Sequence, residues 1–201
     1  KYKIKCNPAV PCPWDDDLAD RIYQAAMDLY VDVGTHCTDT GRVIQFTRDE
    51  VEQAAYECPK EAYFGEGPDR VVFKGRRPDS PELPHCHVGS GTDTTEEVAL
   101  KMVEAYGRIS KAKTVSIPSV TWVGPLKSSM GSPTETLAGI YAMRVGREGL
   151  RRAGRPGMGI INHMSSCAAG VSTIAASHPE FGARPSDGWL VAPHAELKID
   201  Y

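Results

Sequence analysis

The side chain best suited to acid–base chemistry is His163, which closes the run Gly157-Met-Gly-Ile-Ile-Asn-His163. An imidazole there can act as a general acid or base near neutral pH, or as a neutral donor toward a substrate oxygen. The alternative is a histidine satisfied by backbone at a strand end, because no triad partner stands at a nameable spacing. His85-Cys86-His87 places two imidazoles on one side of an extended segment, two arms of a zinc site without a third ligand at fixed spacing, so no metal is expected. His36 and Cys37 are adjacent, and adjacent side chains rarely face each other, so a buried structural thiol is the simpler reading. Gly89-Ser-Gly91 before a helix lacks the full phosphate-loop pattern and reads as a tight turn.

The elements that position these residues follow from local signals. Asp15, Asp16 and Asp17 open a helix carrying Leu18, Ile22, Ala25, Ala26 and Leu29 and ending near Gly34; Thr47 with Glu50 forms a capping box for a second. Arg42–Phe46 reads as a short extended piece, Val71–Phe73 as a strand, and residues 76–84 as a Pro-rich connection. From residue 85 strand and helix alternate: a strand from His85, a helix opened by Thr94 with Glu97, the strand Thr114–Ile117, and a loop through Ser119, Thr121, Trp122 and Gly124. A long helix follows, from Ser132 with Pro133 and Glu135 to Gly154, then the strand Gly157–His163 and a last strand Glu196–Asp200. In such folds the site lies at the C-terminal ends of strands, which selects Ser90 between its two glycines, Ser119, Thr121, Ile161, Asn162 and His163. Lys198 and Asp200 share one face of the last strand, where a salt-bridged structural lysine is the default.

The pattern predicts α/β architecture: parallel βα units resembling the first half of a (β/α)8 barrel over residues 85–201, preceded by a helical region with a short strand over residues 1–84. A whole barrel takes about 250 residues, so 201 residues hold half of one or a smaller open sheet. The stretch from Pro156 to Pro179 contains no Asp, Glu, Lys or Arg and fits backbone packed inside a barrel mouth, or equally a simple buried strand and helix. A net charge of −3, with both signs dispersed, argues against nucleic acid as a partner. No apolar run reaches a membrane-spanning length, and six cysteines without a Cys-x-x-Cys pair suit reduced thiols, so a cytoplasmic protein is expected.

Three segments carry a family likeness. Gly154-Arg-Pro-Gly-Met-Gly159 resembles the approach to pyrrolysine in the monomethylamine methyltransferases, Cys37-Thr-Asp-Thr40 with Arg42-Val-Ile44 and Thr47-x-x-Glu50 is similar to an earlier run of that family, and Glu196-Leu-Lys-Ile-Asp200 to a later barrel strand. The resemblance implies methyl transfer from a small methylated amine to a corrinoid held by a partner protein, with no tightly bound cofactor on this chain. It also implies a chain longer at both ends. The position of pyrrolysine is taken by Ile161, an alkyl side chain in place of an electrophilic imine. Related non-pyrrolysine proteins of the neighbouring trimethylamine methyltransferase family use quaternary amines, and the analogy suggests a substrate with a better leaving group. A half barrel leaves strand edges that more chain or a partner must cover, and a homo-oligomer is expected. Two other readings stay open: a non-catalytic or truncated module of the same fold that binds a small molecule or another chain, and an unrelated barrel enzyme using His163 or the His85-Cys86-His87 cluster with a metal.

Overall fold

A computed structural model of the chain describes residues 1–5, 7–10, 13–38, 40–77, 79–129, 132–162 and 178–189, without the side chains of Asn162 and Trp189. The chain divides into two compact units, Lys1–Pro59 and Lys60–Tyr201. The sequence pattern places the division at 84/85; in the structure residues 60–84 belong to the second unit.

The first unit is built by local signals. Helix α1 (Asp16–Val33) is capped by Asp15, whose carboxylate accepts from the Leu18 N–H at 2.9 Å, and Asp16 and Asp17 sit at the positive end of its dipole. It stops at Gly34 (φ 67°), where a Cβ would lie 2.4 Å from the Ile44 carbonyl oxygen, so glycine admits the next strand. Strands β1 (Thr35–Cys37) and β2 (Arg42–Ile44) pair antiparallel. Helix α2 (Arg48–Glu57) begins with the expected capping box: Glu50 N–H donates to Thr47 Oγ1, and the Thr47 N–H donates to Glu50 Oε2 at 2.7 Å.

The second unit opens with an antiparallel hairpin, β3 (Glu61–Phe64) and β4 (Val71–Lys74). Then follow β5 (His87–Val88), β6 (Asp93–Thr95), α3 (Glu96–Gly107), β7 (Thr114–Val115), β8 (Ser119–Val123), β9 (Leu126–Lys127), α4 (Pro133–Arg152), β10 (Gly159–Asn162) and β11 (Gly188–Trp189). β5, β7, β10 and β11 form one parallel sheet in chain order. A sheet that grows in one direction is the arc of a (β/α) barrel; a doubly wound sheet would reverse its order at a switch point. The unit is therefore α/β, its parallel units resembling the first half of a barrel.

Three details differ from the sequence expectation. Ser119–Val123 is a strand: its β-branched residues pair with Asp93–Thr95 on one side and Leu126–Lys127 on the other. Pairing absorbs Thr94 into β6, and the cap of α3 passes to Thr95, whose hydroxyl accepts from Val98 N–H. Among the described residues the fourth parallel strand is Gly188–Trp189, and the expected strand Glu196–Asp200, with Lys198 and Asp200, lies outside them.

Helices α3 and α4 cover one face of the arc. Glycines bring them together: a Cβ on Gly149 would lie 2.8 Å from Val103 and one on Gly107 2.6 Å from Ala153. Val103, Val115, Ile117, Met143, Leu150 and Ile160 are the centre of the resulting core. Gly146 of α4 meets Ile117 and Ile160, so these two side chains point to the helices. No helix among the described residues is long and apolar enough to cross a membrane.

Candidate functional site

The direction of Ile117 and Ile160 fixes every other side chain on the sheet, because alternate residues share a face and register partners lie side by side. Val88, Val115 and Ile160 face the helices, in register with one another. His87, Thr114 and Gly159, also in register, face the opposite, inner side. One layer further along the strands come Gly89, Ser116 and Ile161, with Gly188 beside Ile161. This upper layer stands at the C-terminal ends of the strands, the side on which barrels of this kind carry their chemistry.

The lower layer is covered by the hairpin at its β10 end, while His87 at the β5 end is exposed. Phe64 lies beneath the covered end: a Cβ on Gly159 would meet Phe64 Cβ at 2.9 Å, and one on Gly188 would meet the Phe64 ring at 2.6 Å. The ring continues edge-on to Phe73 (4.6 Å between centroids), and Phe73 touches the His85 ring. The hairpin β3–β4 thus forms the floor, and the run Arg155-Pro-Gly-Met-Gly159 is its seat. Arg155 Nε donates to Asp69 Oδ1 and its Nη1 to the Ala112 carbonyl, each at 2.8 Å; the Glu66 N–H donates to the Gly157 carbonyl and the Gly65 N–H to that of Ser186. A Cβ on Gly157 would lie 2.4 Å from the Glu66 oxygen. The glycines of this motif are demanded by the approach of the hairpin backbone.

A clamp holds β11 to the same region. Arg147 of α4 donates to the Gly182 carbonyl at 2.6 Å, to that of Met158 at 3.2 Å and to the Asp187 carboxylate. Asp187 also accepts from the N–H groups of Ile160 (2.9 Å) and Arg184 (2.8 Å).

The residues selected from the sequence are distributed as follows. Ile161 is on the inner face of the upper layer and 5% exposed. Asn162 is in β10 opposite Trp189, and His163 lies outside the described residues. Thr121 Oγ1 donates to the Thr94 carbonyl at 3.3 Å, and Thr94 Oγ1 donates back to the Ser119 carbonyl at 3.2 Å. Ser119 and Thr121 thus lie together in the small sheet β6-β8-β9, made from the two loops that leave β5 and β7. Ser90 shares a 2.6 Å bond with Thr92 in a separate turn.

Both imidazoles of His85-Cys86-His87 turn to the buried Thr114 hydroxyl, His87 Nδ1 at 2.9 Å and His85 Nε2 at 3.3 Å. One hydroxyl hydrogen cannot serve two acceptors, so at least one of the two rings donates to the Thr114 oxygen. Burial pushes the His85 pKa down to about 4, helped by the nearby His87 and Lys113 charges, and burial also lowers that of His87. Among the described residues no group of three or more His, Cys, Asp and Glu comes together to hold a metal.

Sequence reasoning missed Ser116, Thr114 and Phe64. The first two were visible as the hydroxyl positions of Thr114-Val-Ser-Ile117, where period two sets polar residues on one face. It placed Glu135 in a capping box; the Ser132 N–H and hydroxyl turn to the Ser129 carbonyl instead, and Glu135 is buried, 5% exposed, on the stripe of α4 that enters the core.

An inner face of parallel strands, covered at β10 and β11 by the hairpin and bearing Ile161 above, defines an α/β barrel-type scaffold with its business end at the strand C-termini. The sequence model of the monomethylamine methyltransferase MtmB family matches residues 1–201, and the chain belongs to that family. It is 31% identical over 189 residues to monomethylamine methyltransferase MtmB of Methanosarcina mazei and 30% identical to MtmB1 of Methanosarcina acetivorans, in each case over 94% of this chain and 41% of the relative. The crystal structure of a hydroxylamine MtmB complex superposes with a TM-score of 0.82 at 27% identity, covering 88% of this chain and 38% of that one; the Methanosarcina barkeri enzyme gives 0.81. The chain thus spans about two fifths of the length of the relatives it matches.

Proposed function

We propose that this chain forms the amine-facing half of a methyltransferase that passes a methyl group from a methylated amine to a corrinoid held by a partner protein. The observation that carries the reading is the place of Ile161: buried on the inner face, at the C-terminal end of β10, above the hairpin that covers Gly159. Gly89, Ser116 and Gly188 keep the strand positions beside Ile161 small, with the Phe64 ring packed against Gly188. An alkyl wall there packs against methyl groups and offers an amine no covalent partner, which supports a substrate whose nitrogen is already a good leaving group. Ser119 and Thr121 in β8 and Ser90 in its own turn are half-buried polar groups beyond the ends of β7 and β5, available to the amine, and the acid–base role is assigned to His163. A corrinoid brought by a partner asks for no ligand from this chain, only for an approach past those groups, and the described residues are compatible with this. When bound it supplies the cobalt that accepts the methyl group; this chain binds, orients and desolvates the amine. β5 and β11 each leave one edge without a strand among the described residues, which supports a second copy or further chain beside them.

The test is incubation with reduced corrinoid and mono-, di-, tri- and tetramethylated ammonium salts, following methylcobalt by absorbance. Methyl transfer is expected, greatest for the quaternary amine, and Ile161→Ala is expected to change the order of preference. Absence of methylcobalt with every amine would refute catalysis. The buried alkyl group of Ile161 also favours a second reading, a non-catalytic module of the same fold, for which calorimetry would register amine binding without turnover.

A further inference from the structure

A cavity lies among the hairpin, the connection to β5 and the turn after α3, lined by none of the upper-layer residues. It has a volume of about 590 Å³, within the ~300–1,000 Å³ usual for small-molecule sites. Its lining is in part apolar and aromatic, with Val71, Phe73, Leu83 and Pro84, and in part basic, with Lys74, Arg76, Lys111 and Lys113 and the single carboxylate of Glu82. These cations are not consumed equally. Lys74 is paired with Glu61 at 3.2 Å, and Arg76 donates to the carbonyls of Ser80 and Glu82. Lys111 and Lys113 form no ion pair among the described residues, and both are exposed. The Lys113 backbone N–H is fixed to the Cys86 carbonyl at 2.8 Å, which anchors that residue on the cavity wall beside His85.

We propose that this cavity binds a small organic anion, a phosphate carried on a flat apolar ring, with Lys111 and Lys113 on the phosphate and Phe73, Leu83 and Pro84 against the ring. A phosphate satisfies two ammonium groups that no carboxylate of the described chain satisfies, and Arg76 can turn part of its fork to the same oxygens. A flat ring covers apolar surface that is otherwise left to water. The downward pull of Lys113 on the His85 titration is consistent with its charge acting inside the cavity. The site is independent of the methyl-transfer reading.

The probe is 4-methylumbelliferyl phosphate, titrated into the intact chain by fluorescence, with inorganic phosphate and uncharged 4-methylumbelliferyl methyl ether as comparisons. Saturable one-to-one binding is expected, tighter than for either comparison, and Lys111→Gln with Lys113→Gln is expected to weaken it about tenfold while Lys101→Gln leaves it unchanged. The same ligand should slow alkylation of Cys86, read by peptide mass spectrometry, and raise the His85 pKa as Lys113 is neutralised. Absence of saturable binding, an unaltered affinity in the double variant, or an unprotected Cys86 would overturn the proposal. Equal affinity for inorganic phosphate would overturn the role of the apolar wall.

Discussion

Replacing Arg147 by Met tests whether the clamp between α4, β10 and β11 holds the unit together as its geometry requires. The Arg147 side chain is 13% exposed and that of Asp187 3%, so solvent screens their ion pair little. Met keeps the apolar stem but leaves Asp187 buried with only the backbone N–H groups of Ile160 and Arg184, and frees the carbonyls of Met158 and Gly182. Stripping one partner from a buried ion pair costs about 3–5 kcal/mol. A single domain is stable by about 5–15 kcal/mol, so the change removes a large fraction of the total. With a urea m-value of ~2 kcal/mol/M the midpoint falls by roughly 2 M. The assay is urea unfolding followed by circular dichroism, with Asp187→Asn and the double variant completing a cycle. Neutralising Asp187 removes the stranded charge, so the double variant should be less destabilised than the sum of the singles, by about 1–3 kcal/mol. A loss below about 1 kcal/mol in Arg147→Met, the worth of an exposed pair, would refute the reasoning, because the pair would then be hydrated and β11 not clamped.

Two further outcomes follow from the floor. Gly157→Ala forces the Glu66 carbonyl away from a Cβ otherwise 2.4 Å distant, so the hairpin must lift; a loss of about 1–3 kcal/mol and faster proteolysis between residues 64 and 71 are expected, and an unchanged digestion pattern would contradict the seat. His85 has a folded pKa of about 4 against an ordinary 6.5, so the unfolded chain takes up the proton first as pH falls. Its contribution is fully present above about pH 6.5 and is lost progressively toward pH 4, and His85→Phe should flatten the urea midpoint over that window; an unaltered slope would remove His85 as the cause.

Elements bounded by adjacent residues were legible in the chain, and those completed from a distance were not. Asp15 and Thr47 with Glu50 announce helices because a cap and its orphan N–H lie within three residues of each other, and Pro133 announces one because its ring presets the helical φ at the first position. Ser119–Val123 gave no comparable sign: Pro118 and Gly124 bracket it like a loop, and it becomes a strand only because Asp93–Thr95 lies alongside. Gly188–Trp189 is too short for periodicity and is held by Arg147 and Asp187. At the site, the inward face of Ile161 follows from its strand period. The cover that Phe64 lays over β10 and β11 depends on contacts with Gly159 and Gly188 that no window of sequence spans.

That cover also sets an order of events during synthesis. The hairpin leaves the ribosome early and can zip by itself, since β3 and β4 are joined by a short turn. Its apolar side then waits, because the residues that receive Phe64, Arg155's partner Asp69, and Glu66 are translated only after both βα crossovers. Contacts of such sequence separation pay their loop-closure entropy before they return any stability, and they form slowly. Seating of the hairpin is therefore a late step of folding, and until it occurs Phe64 and Phe73 are the surface through which a nascent chain would aggregate.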